Sequence, residues 1–79
     1  MKIAGHEIDE SAAVAYMRKQ WSEGRPVAPC DIQCVLLSAT PDGPDRHWLV
    51  AEAQRRICQR HRKRGVCRYD REYGWWVKA

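Results

Sequence analysis

Apolar side chains recur at helical spacing in three stretches of this chain. Ala13, Met17 and Trp21 stand four residues apart, and Val14 joins them on the same side. Residues 10–22 therefore read as a helix with one buried stripe. Asp9 is its expected N-cap, and Glu10 in the first turn suits the helix dipole. Glu23-Gly24 ends it. Pro26 and Pro29 keep residues 25–28 from being helical throughout, because a proline pushes its predecessor toward extended backbone. Val27 is left for a brief strand contact. Pro29 suits the first turn of a second helix, residues 29–39, with Ile32, Val35 and Leu36 inward. Thr40-Pro41-Asp42-Gly43-Pro44 is a dense turn signal, and Asp42 or Asp45 is the expected cap of a third helix.

This third helix, residues 45–63, is the longest. An advance of ~100° per residue puts Leu49, Val50, Ala53 and Ile57 on one side. Trp48, Ala51, Arg55, Gln59 and Arg62 fall on the other. Gly65 is the expected left-handed stop after a basic last turn. Residues 66–69 and 75–78 are rich in β-formers, and 70–74 make a loop between them, so a hairpin closes the chain. Residues 1–8 are short and mixed and read as a terminal strand or a loose arm. The expected fold is one domain over residues 1–79, mainly α with a C-terminal β-hairpin. The element order is that of a three-helix winged helix-turn-helix, with residues 66–78 as the wing.

Seventy-nine residues bury only a thin core, which leaves little room for a deep enzymatic cleft. No Phe is present, so four tryptophans share the interior with Leu, Ile and Val. No Ser-His-Asp arrangement, Gly-rich phosphate loop or obvious carboxylate pair occurs, and no enzymatic activity or cofactor is expected. No apolar run reaches the length of a membrane span, and the N-terminus has no hydrophobic signal region. The expectation is a cytoplasmic protein without a membrane partner, whose Cys30, Cys34, Cys58 and Cys67 stay reduced.

The formal charge of +4 is unevenly spread. Residues 1–53 carry five Lys and Arg against eight acids, whereas residues 54–79 carry nine against Asp70 and Glu72 alone. A basic third on a slightly acidic body is the footprint of a polyanion-facing surface, although charge by itself also fits a solvated helix face. Arg55 and Gln59 lie one turn apart, where Arg can fork onto guanine and Gln onto adenine. Arg62 and Lys63 suit phosphate contact, as do Arg68 and Arg71 from the hairpin, with Tyr73 at its tip. Trp48 completes the outward stripe. The DNA-binding set is then Trp48, Arg55, Gln59, Arg62, Lys63, Arg68 and Arg71. The cations gather toward the C-terminal end of the helix, whereas such helices enter a groove by their N-terminal part. Arg56, Arg60 and Arg64 fall nearer the buried side and are expected to snorkel over the core edge.

Asp31-Ile32-Gln33, the run from Arg55-Arg56-Ile57 to Arg62-Lys63-Arg64-Gly65, and Gly74-Trp75-Trp76-Val77 resemble small winged-helix proteins of phages and prophages. The likeness covers most of residues 9–78. It implies a regulatory or DNA-associated role on double-stranded DNA and names no target.

Two other readings remain open at this point. Cys30 and Cys34, with Cys58 and His61, match zinc in composition, but the tight Cys-x-x-Cys knuckle of structural sites is missing, and no metal is expected. His6, His47 and His61 read as surface or packing residues. Winged helices also dock proteins, and Trp48, Leu37, Cys34 and Tyr16 could form an apolar patch for a second copy or a protein partner.

Overall fold

The computed structural model describes residues 1–79. A two-strand ribbon, β1 (Lys2–Ile3) and β2 (His6–Glu7), leads into three helices, α1 (Ser11–Ser22), α2 (Pro29–Ser38) and α3 (Arg46–Lys63). An antiparallel hairpin, β3 (Cys67–Asp70) and β4 (Trp75–Lys78), closes the chain. The architecture is mainly α with small sheets.

One core joins every element except β2, whose two residues are exposed. Ala13, Met17 and Trp21 of α1 meet Ile32 and Leu36 of α2 and Leu49, Val50, Ala53, Ile57 and Cys58 of α3. Val27, Cys67 and Trp76 extend that core under the hairpin. Val14 and Val35, expected in the buried stripes, sit at its edge. The helix ends differ slightly from the sequence expectation. Asp9 accepts the Ser11 backbone N–H and hydroxyl, but Glu10 occupies the N-cap position. These bonds, the hydroxyl's first, hold the Asp9 carboxyl below its usual range. At α3, Asp45 sits at the N-cap without a side-chain capping bond, and Asp42 pairs with Arg46 instead. The Arg46 guanidinium also donates to the Leu37 carbonyl at 2.6 Å, tying the proline-rich turn across the end of α2. Gly65 stops α3 with φ +74°, a conformation that costs glycine little.

The N-terminal segment is not a loose arm. Ile3 and Ile8 are among the most deeply buried side chains, and β1 packs on α3. The Met1 ammonium donates to the Ile8 carbonyl and to Glu7. Ala4 and Gly5 both have positive φ, the mark of the tight two-residue turn that suits a twisted ribbon.

Besides its core contacts through Cys67 and Trp76, the hairpin is tied to the body by a backbone bridge. Val27 and Trp76 exchange two backbone hydrogen bonds of 2.8 Å, so Val27 acts as a one-residue third strand beside β4. The indole Nε1 of Trp21 donates to the same Trp76 carbonyl at 3.3 Å. The brief strand contact expected of Val27 is this bridge.

Candidate nucleic-acid interface

The face of α3 turned away from the core carries Trp48, Ala51, Arg55 and Arg62, all exposed, with Gln59 partly covered. The partial cover comes from the hairpin. Gln59 and Arg62 line an open cleft of about 410 Å³ with Tyr69, Arg71 and Trp76. Trp76 forms its floor, buried and met edge-on by Tyr69 at a ring separation of 5.1 Å. Arg62 Nε donates to Gln59 Oε1 at 2.8 Å, which spans the helical wall of the cleft. Three of the expected DNA-contacting residues, Gln59, Arg62 and Arg71, thus share one concavity.

The other four stand apart from it. Lys63 is exposed at the last turn of α3. Trp48 is 55% exposed at the opposite end, about 21 Å back along the axis from Arg62. Arg68 leaves the group altogether. Successive strand residues point to opposite faces, and Cys67 and Tyr69 face the core side. Arg68 therefore shares the outer face of the hairpin with Asp70, Trp75 and Val77. Its place in a two-residue alternation is legible in the sequence; which member of the alternation faces the helix is not, and the burial of Cys67 decides it.

Ion pairing decides which cations are free to meet a polyanion. Arg55 and Arg56 both bind Glu52, and Arg60 binds Glu10 at the start of α1. Of the three arginines expected to snorkel, only Arg60 is partly buried; Arg56 and Arg64 are exposed. Arg62, Lys63, Arg64, Arg68, Arg71 and Lys78 have no carboxylate within ion-pair distance. Arg18 and Lys19 of α1 and Lys2 of β1 are unpaired too, but within the basic C-terminal third the unpaired charge lies at the end of α3 and on the hairpin. A count of cations passes over Glu52, though its position three and four residues before two arginines is the signal for such pairs. Hydrogen bonds from Arg55, then Arg56, hold its carboxyl down at about 2.

The cysteines and His61 do not converge. Cys30 and Cys34 are exposed on α2, whereas Cys58, Cys67 and His61 are buried at the junction of α3 and the hairpin. His61 packs 6.0 Å from the Trp21 ring, with Nδ1 against the Ile57 carbonyl at 2.8 Å. It is a packing residue, and nowhere do three metal-ligating side chains meet. No helix is long and apolar enough to cross a membrane. The chain matches no family model, no curated protein and no solved structure.

Proposed function

We propose that this chain is a winged helix-turn-helix protein that binds duplex DNA, with α3 as the reading helix and the β3–β4 hairpin as the wing gripping the backbone. The element order supports this reading, because Val27 supplies the short strand that a winged helix sets beside its wing. The observation that carries it is the cleft in which Gln59 and Arg62 of α3 face Arg71 of the hairpin. Two guanidiniums without carboxylate partners converge there on one concavity, as a phosphate between a groove-bound helix and a wing would require. Around its middle turns, α3 offers Ala51 and Arg55, away from the cleft, for the groove itself. This division eases the tension over where the cations gather: the C-terminal cluster holds backbone while the earlier turns meet bases. Regulation of transcription, or another DNA-associated task of a phage or prophage type, is the matching role, in the cytoplasm and without an enzymatic step.

The test is fluorescence anisotropy with a labelled random duplex. Three phosphate contacts from Arg62, Lys63 and Arg71 correspond to a log–log salt slope of about −2.7, or roughly 40-fold weaker binding at 200 mM than at 50 mM salt. No binding at low salt refutes the reading. The exposed Trp48 favours a second one, a protein-docking module without direct DNA contact. That module would bind no duplex under the same conditions.

A further inference from the structure

Glu52 stands on the outward face of α3 between Trp48 and Arg55, where an isolated carboxylate would repel DNA. It is only 19% exposed, because two guanidiniums lie over it. Arg55 meets it side-on: Nε donates to Oε2 at 3.2 Å and Nη2 to Oε1 at 2.5 Å. Arg56 Nε donates to the same Oε1 at 3.0 Å. A guanidinium has five N–H donors in a rigid plane. Glu52 occupies the edge formed by Nε and Nη2. The end edge, formed by Nη1 and Nη2, keeps one donor from each nitrogen, parallel and free. Guanine presents O6 and N7 in the major groove at the matching separation.

Resting on the DNA-binding reading, we infer that Glu52 is a positioning residue that fixes Arg55 with its end edge outward, making Arg55 a dedicated guanine reader. The same carboxylate has a second effect. It compensates the charge of Arg55 and Arg56, so this part of the helix adds little to phosphate attraction. Attraction is left to the unpaired cations near the hairpin, and the groove-facing turn is reserved for discrimination. An unbuttressed arginine at this point would sample many rotamers and satisfy itself on any nearby phosphate, since a long flexible side chain loses more entropy when it is fixed only on binding.

The experiment is selection from a randomised duplex pool, followed by competition binding with single-base variants of the selected site. The wild-type chain should enrich one guanine that Arg55→Ala no longer requires. Glu52→Ala should lower the preference for that guanine by up to about 5- to 150-fold, the discrimination of one bidentate contact. It should also tighten binding to random duplex and steepen its salt slope by up to about 1 to 2, as Arg55 and Arg56 become free for phosphates. Glu52→Gln keeps an acceptor but not the charge, so it should steepen the slope while retaining most of the base preference. Melting of each variant separates these effects from loss of fold, which would change neither base preference nor slope in this direction. If Glu52→Ala keeps both the guanine preference and the wild-type slope, the pair is an ordinary surface ion pair and the inference falls. If the wild-type chain binds duplex without sequence preference, the inference falls while DNA binding stands. If it binds no duplex at all, both fall.

Discussion

Replacing Trp21 by Phe tests how the hairpin is held to the helical body. Trp21 is 4% exposed, and its indole N–H is the one side-chain donor to the Trp76 carbonyl. Phe retains the apolar contact with the core but removes that donor and part of the ring. The lost hydrogen bond contributes ~0.5–1.5 kcal/mol, at the low end here because Val27 N–H still satisfies the carbonyl. About 40 Å³ of unfilled space at ~24 cal/mol per Å³ adds about 1 kcal/mol. The expected cost is about 1.5 kcal/mol, or a fall in melting temperature of roughly 6–12 °C for a domain of this size. Urea denaturation followed by circular dichroism gives the first quantity directly. Amide exchange gives the location: the Val27 and Trp76 amides, which exchange backbone bonds across the bridge, should lose protection first. A loss below about 0.5 kcal/mol, or weakened protection in α2 rather than at the bridge, would refute the view that Trp21 clamps the hairpin.

The titrating groups yield further predictions. Glu52 has a folded value of about 2 against an ordinary value of 4.5, so its ion pairs support the fold above about 4.5 and their support is lost as pH falls through about 2. Glu52→Gln should flatten the acid limb of the stability curve within that window, read from melting temperature against pH; an unchanged limb would count against the pairing. Burial, with Cys58 adding to it, pushes the Cys67 thiol up to about 11, and burial raises Cys58 as well. A thiol reagent at neutral pH should therefore modify the exposed Cys30 and Cys34 rapidly and reach Cys58 and Cys67 only on unfolding. Equal labelling rates for all four would contradict the burial described.

Much of this architecture is legible in the hydrophobic pattern. The stripes from Ala13 to Trp21 and from Leu49 to Ile57 are long enough for period 3.6 to be unambiguous, and Gly65 and the prolines punctuate them. A brief strand contact at Val27 can be read as well, from a β-former held between Pro26 and Pro29, but its partner Trp76 cannot. The N-terminal ribbon is harder. Two-residue strands offer no periodicity, and only the depth of Ile3 and Ile8 reveals that the first residues belong to the core. Within the candidate site, the outward stripe of α3 follows from helical geometry alone. The grouping of Gln59 and Arg62 with Arg71 does not, because it depends on how the hairpin folds back over α3. Charge alone assigns Arg68 to the same surface, whereas the strand alternation turns it to the other face. Glu52 shows the remaining blind spot: counting cations overstates the free positive charge when a carboxylate one turn earlier already holds two of them.

The proposed DNA-binding role requires the cleft between α3 and the hairpin to hold a DNA phosphate. Its most direct test is the salt dependence of duplex binding for Arg62→Ala combined with Arg71→Ala, set beside the wild-type chain. Two lost phosphate contacts should make the log–log slope shallower by about 1.8 and weaken binding at low salt, while Arg68→Ala on the outer face has a smaller effect. A double variant that binds with the wild-type slope and affinity would contradict the account.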